Sequence, residues 1–259
     1  MLPAHPSLND RIKSQDFLLG SFVFSTDASI TEVYASAGFD FVIVDMEHGL
    51  NDLRSTMSHL RAARASGMSA LVRVGPATLG DVPRLLDAGC EGIMIPHLGL
   101  PGSGALEALQ ATRYAPLGSR PTCTGVSAAD FGIGDFAAYV KRANNDIVTI
   151  GLVEDRECVD NIDEILSQKP VDWVMPGPGD LATSLQVPGQ LRHPKVEAAV
   201  GQVFSAAERS NIPIGMYVNH PDEIECWRAK GAKFLVLSID LKLLGLSLKA
   251  AAIACRPHS

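Results

Sequence analysis

The chain has 259 residues, 46% of them hydrophobic and 20% charged, with a formal net charge of -7. That is enough apolar material for one sizeable core, and the composition excludes a disordered chain. The basic residues are scattered and form no stripe for tracking a phosphate backbone, which excludes nucleic acid as the expected partner.

The opening residues, MLPAHPSLNDRIKSQD, carry no basic segment followed by an apolar core. No apolar run approaches membrane-spanning length, so a cytoplasmic protein without a membrane partner is expected. Short β-rich apolar runs then recur at 19–24 (LGSFVF), 41–45 (FVIVD), 70–74 (ALVRV) and 92–96 (GIMIP), and again at 148–153 (VTIGLV), 172–177 (DWVMPG), 213–218 (PIGMYV) and 234–240 (FLVLSID). Most lack polar alternation, as strands covered on both faces of a parallel sheet do. Between them lie segments of helical period, such as Ile30, Val33, Tyr34 and Ala37, and Gly38, Gly67, Gly89 and Gly231 stand where helices would stop. Strands and helices alternating through the chain predict a single α/β domain over residues 1–259, a (β/α)8 TIM barrel with the barrel proper at about 17–255. An open doubly wound sheet is the rival, weakened by the absence of a GxGxxG turn after any strand. GIGD at Gly132 reads as a plain loop, and the irregular stretch 97–147 as a segment folding over one barrel end. Five cysteines (Cys90, Cys123, Cys158, Cys226, Cys255) are dispersed without a CxxC pair, which suits reduced packing residues.

In such a barrel the chemistry lies at the C-terminal strand ends, where the loops converge. Those ends carry Asp45, Glu47 and His48, then Arg73, His97, Glu154, Gly177, Gly179, Asp180, Asn219, His220, Ser238 and Asp240. Glu154 and Asp180 fall on adjacent strands, and two carboxylates in an apolar mouth demand a proton or a cation between them. Oxygen ligands with open positions suit Mg²⁺ or Mn²⁺. The plainer reading has Asp180 capping the helix DLATSL and Glu154 paired with Arg156. Arg73 needs an anionic partner, either Glu47 in a salt bridge or a substrate oxyanion. His48 among these charges is placed to move protons near neutral pH. All eight lysines fall in helices, loops or the opposite strand ends. A Schiff-base lysine, and with it pyridoxal phosphate, is therefore not expected; nor is a nicotinamide cofactor.

The run VDMEHG, VRV with Arg73, RLLDAG with Asp87, ATRYAPLGSR, Glu154 after strand five, and PGPGDLA followed by HP at 193–194 resemble the metal-dependent pyruvate aldolases of the HpcH/HpaI type. The resemblance covers nearly the whole chain from about residue 17. It implies a divalent metal (Mg²⁺, Mn²⁺ or Co²⁺) on Glu154 and Asp180, pyruvate chelated to it, and the backbone at Gly179 and Asp180 holding the substrate carboxylate. Arg73 would contact the keto oxygen, and His48 would transfer protons with Asp87 from a neighbouring subunit. The assembly implied is a hexamer, a trimer of dimers, with the final helix exchanged between subunits. The activity implied is reversible cleavage of a 4-hydroxy-2-oxo acid to pyruvate and an aldehyde. Alternatives are a related lyase or decarboxylase acting on another 2-oxo acid, and a non-catalytic barrel binding metal and oxo acid. The sequence departs from the family at Leu152, where relatives carry glutamine, at Arg120-Pro121 in GSRPT, and at His97 and the NHP at 219–221. These positions would surround the aldehyde.

Overall fold

The computed structural model describes residues 6–256. Its strands are β1 (Leu18–Val23), β2 (Phe41–Asp45), β3 (Ser69–Arg73), β4 (Gly92–Ile95), β5 (Val148–Val153), β6 (Trp173–Pro176), β7 (Gly215–Val218) and β8 (Phe234–Ile239). Each lies within two residues of its sequence-derived bounds. All pair in parallel, in the order β6-β5-β4-β3-β2-β1-β8-β7. A Val174–Ile214 bridge joins β6 to β7 and brings the ring to closure as a (β/α)8 barrel.

Alternate side chains of each strand point to opposite faces, and here both faces are dry. Phe41, Ile43, Leu71, Met94 and Ile150 pack inside the barrel, while Val42, Val44, Val72, Ile93 and Ile95 pack in the layer between sheet and helices. That is why the strands read as unbroken apolar runs. Room for the large interior rings comes from glycine: a Cβ on Gly20 would lie 2.1 Å from the Phe41 ring, and one on Gly215 would lie 2.2 Å from the Phe234 ring.

A helix at Leu8–Ser14, absent from the sequence-derived elements, belongs to this interior layer. Ser7 caps it by accepting the Asp10 N–H at 3.2 Å. Leu8 and Ile12, one turn apart, are buried with the barrel interior, each contributing about 1.5–3 kcal/mol. They pack at the N-terminal end of the barrel, where Arg11 of the same helix bonds Asp40 just before β2. The stretch 97–147 does not fold over an end. It holds helices Ala105–Gln110 and Phe136–Asp146, and Ala105, Leu109, Tyr139 and Ala143 are buried in the outer layer. Their helical spacing gives the segment an apolar face that must lie against the sheet. Gly38, Gly67, Gly89 and Gly231 all have positive φ at helix ends, as expected.

The last helix, Asp240–Ala254, is held at its N-terminal end. Asp240 is buried and accepts the backbone N–H groups of Phe24 and Ser25, both at 2.9 Å. Leu241, Leu244, Leu248 and Ile253 along it are about half exposed. Among the described residues no helix is long and apolar enough to cross a membrane.

Candidate active site

The site begins where β2 ends. Asp45 is completely buried and stands opposite Arg73 in the β2–β3 register. Its Oδ1 accepts from Arg73 Nε at 2.9 Å and from the Glu47 N–H at 3.0 Å, and its Oδ2 accepts from Arg73 Nη2 at 2.5 Å. An aspartate closing an apolar strand thus folds the MEH turn back over itself and fixes the neighbouring guanidinium. The salt bridge to Glu47, one of the two readings of Arg73, forms as well, at 3.4 Å, but the in-register Asp45 holds the guanidinium more closely. Arg73 also lies over the Phe22 ring, 4.5 Å from its centre. Burial opposes the guanidinium's charge, but the Asp45 bonds, with Glu47 and Glu154 behind them, raise its pKa further. Burial pushes Glu47 up as well.

Glu154, the residue after β5, is 4% exposed. Its Oε1 accepts the His97 N–H at 3.0 Å. Burial raises its pKa to about 7, and the charges of Asp180 and Glu47 add to the rise against His97. The alternative pairing with Arg156 does not form, since Arg156 turns to Asp160 at 3.4 Å along its own helix. Nor does Asp180 cap DLATSL. The helix runs from Pro178 to Ser184 with Gly177 at its N-cap position, so Asp180 already lies in the first turn with its carboxylate uncommitted to a cap. Gly177 is needed beside the metal candidate: a Cβ there would sit 3.0 Å from Glu154 Oε2. A Cβ on Gly179 would meet nothing within 4 Å.

One cavity is lined by His48, Arg73, Leu152, Glu154, Gly179 and Asp180, so four strand ends bring their candidates together. The His48 side chain is 58% exposed, its Nε2 lying 3.9 Å from Glu47. Asp87 is not among them. It ends the helix Val82–Asp87 and accepts from Arg120 Nη2 at 2.7 Å. Arg84, three residues before Asp87 on the same helix, bonds Asp81 instead, at 3.1 Å. A guanidinium as buried as Arg120 requires an anion, and Asp87 supplies it. The eight lysines lie outside the strands, but Lys242 does reach the rim, donating to Asn219 at 2.5 Å.

The residues present fit a divalent cation. Glu154 offers a buried and Asp180 an exposed oxygen donor at one mouth, where their charges repel, and among the described residues no cluster of three or more His, Cys, Asp or Glu forms there. Two carboxylates leave positions for substrate and water. A pH signature follows. An acid whose folded pKa is raised, from 4.5 to about 7, favours folding while protonated and loses that advantage as pH rises through the interval. In metal-free protein, the stability of the parent relative to Glu154→Gln should fall between those pH values in denaturant titrations; a flat difference would refute it.

Two participants lie outside the sequence-derived roles: Asp45, placed at the rim by sequence without a partner, and Asp155, whose Oδ2 is 2.8 Å from His97 Nδ1. The signal for Asp45 was the acid ending FVIVD; for Asp155 there was none without the fold.

The profile of the HpcH/HpaI aldolase/citrate lyase family matches residues 18–245. A hydroxypyruvate/pyruvate aldolase of Sagittula stellata is 32% identical over 229 residues, 88% of each chain. A 5-keto-4-deoxy-D-glucarate aldolase of Shigella dysenteriae is 33% identical over 211 residues, 82% of this chain and 81% of its own. The crystal structure of an HpcH/HpaI aldolase from Desulfitobacterium hafniense superposes with a TM-score of 0.86 at 30% identity, covering 98% of both chains. Aldolases are carbon–carbon lyases, and this chain belongs to the HpcH/HpaI aldolase/citrate lyase family.

Proposed function

We propose that the chain is a divalent-metal-dependent aldolase that reversibly cleaves a 4-hydroxy-2-oxo acid to pyruvate and an aldehyde. The observation that carries this reading is the single cavity in which Glu154 and Asp180 face the same space as Arg73 and His48. Bound there, Mg²⁺, Mn²⁺ or Co²⁺ would supply Lewis-acid polarisation of the 2-oxo group. Glu154 and Asp180 would hold the cation. The backbone at Gly179 and Asp180 receives the substrate carboxylate, where a side chain on residue 179 would project into open space. Arg73 supplies fixed positive charge to the oxygen that gains electron density as the carbon–carbon bond breaks. His48 exchanges a proton with the hydroxyl oxygen that becomes the aldehyde. Leu152, 2% exposed, gives the cavity an apolar wall.

The test uses pyruvate in D₂O with added Mn²⁺. Exchange of its methyl protons is expected by NMR, and a panel of aldehydes offered with pyruvate should yield condensation products by mass spectrometry. Binding without exchange or product would support a non-catalytic barrel instead.

The assembly belongs to the same proposal. The half-exposed leucines of Asp240–Ala254 suit a helix exchanged between subunits of a hexamer, and Asp87 would then reach His48 of a neighbour. Mixing inactive His48→Ala with inactive Asp87→Asn chains, the latter keeping an acceptor for Arg120, should restore activity. No recovery from well-folded chains, or a monomer by light scattering, would overturn the shared site.

A further inference from the structure

His97 has a backbone φ of 55°, in the left-handed region that residues bearing a Cβ rarely occupy. It follows β4, and from there it grips two consecutive acids beyond β5. Its backbone N–H donates to Glu154 Oε1 at 3.0 Å. Its ring Nδ1 lies 2.8 Å from Asp155 Oδ2 and 3.6 Å from Glu154 Oε1. A carboxylate accepts, so Nδ1 carries the hydrogen. Asp155 stands at the N-cap position of the helix Arg156–Asp160, yet its side chain makes no capping bond there; its carboxylate is turned to the histidine.

The consequence falls on Glu154. With Oε1 committed to the His97 N–H, Oε2 lies on the Gly177 side, since a Cβ on that glycine would be 3.0 Å from Oε2. Gly177 leads directly into the turn that carries Asp180. One oxygen of the buried carboxylate is therefore tied down and the other is aimed toward the second acidic residue. Neighbours that orient ligating groups in this way typically alter metal affinity by about 10–100-fold when removed.

We propose that His97 is a positioning residue for the metal site: its ring, bonded to Asp155, holds the left-handed backbone whose N–H orients Glu154 so that Oε2 faces a cation shared with Asp180. The inference rests on the metal reading above and assigns His97 no contact with substrate.

The experiment is calorimetric titration of Mn²⁺ into chelator-stripped protein, with circular dichroism and thermal melting to establish folding. His97→Ala should weaken Mn²⁺ by about 10–100-fold. Asp155→Ala should weaken it similarly, and the double variant should be no worse than His97→Ala, because both remove one anchor. His97→Asn should recover most of the loss, since asparagine tolerates left-handed backbone and its amide can donate to Asp155. Parent-like affinity, within about threefold, in folded His97→Ala overturns the inference; if that variant does not fold, the same result in Asp155→Ala does so. A parent that binds no Mn²⁺, or a Glu154→Gln variant that binds it equally well, overturns the metal reading and this inference together.

Discussion

Exhaustive chelation should abolish turnover of a 4-hydroxy-2-oxo acid, Mg²⁺, Mn²⁺ or Co²⁺ should restore it, and Glu154→Gln should bind metal about 10³-fold more weakly or worse. The magnitude comes from charge. A pair of unit charges about 4 Å apart is worth roughly 4 kcal/mol at an effective dielectric near 20, or about three decades in affinity, and a divalent ion in direct contact feels more. Glutamine is close to isosteric, and its amide oxygen can still accept the His97 N–H, so the substitution removes the charge while leaving the packing. Since burial already drives Glu154 toward its neutral form, the metal-free variant should be at least as stable as the parent at neutral pH, which separates loss of metal from loss of fold. Asp180→Asn should act in the same direction. Full activity after exhaustive chelation would sink the mechanism. Borohydride with pyruvate should leave the protein unlabelled, and a reduced adduct on any lysine would replace the metal by an imine.

What the sequence made legible follows from what each feature depends on. The strands were readable because burial on both faces of a closed sheet leaves a one-dimensional mark, an apolar run such as VTIGLV. The rim was readable because a barrel places every strand end at one mouth, so Glu154 and Asp180 could be named from position alone. The Leu8–Ser14 helix was not: its apolar content is two side chains one turn apart, too short a pattern to separate from coil. Partners were the least legible. Choosing Asp45 over Glu47 for Arg73 requires the β2–β3 register, and choosing Arg120 over Arg84 for Asp87 requires knowing that the chain after residue 113 wraps the outside of the barrel. The His97–Asp155 bond needs the ends of β4 and β5 side by side with a left-handed residue between them. Sequence spacing identified the charged residues, and the three-dimensional register assigned their pairs.

Arg73→Ala should lower turnover by about 10²- to 10³-fold, the usual cost of losing one donor to a developing oxyanion. Arg73→Lys should recover only part, because the ammonium keeps the charge and loses the planar fork that grips Asp45 through Nε and Nη2. The alanine variant also strands a completely buried aspartate, and breaking a buried pair costs about 3–5 kcal/mol, so rates must be taken on the folded fraction. If both variants change turnover by less than about fivefold when so corrected, Arg73 serves the Asp45 bridge and the turn it holds, and no more. Exchange of pyruvate's methyl protons divides the roles further. Arg73 acts on the pyruvate half, so its loss should slow exchange in D₂O with no aldehyde present. His48 acts on the oxygen that becomes the aldehyde, so His48→Ala should slow the complete cleavage far more than the exchange. Equal losses in both assays for both variants would mean that the histidine and the arginine serve one step, and the division of labour drawn from their placement would be wrong.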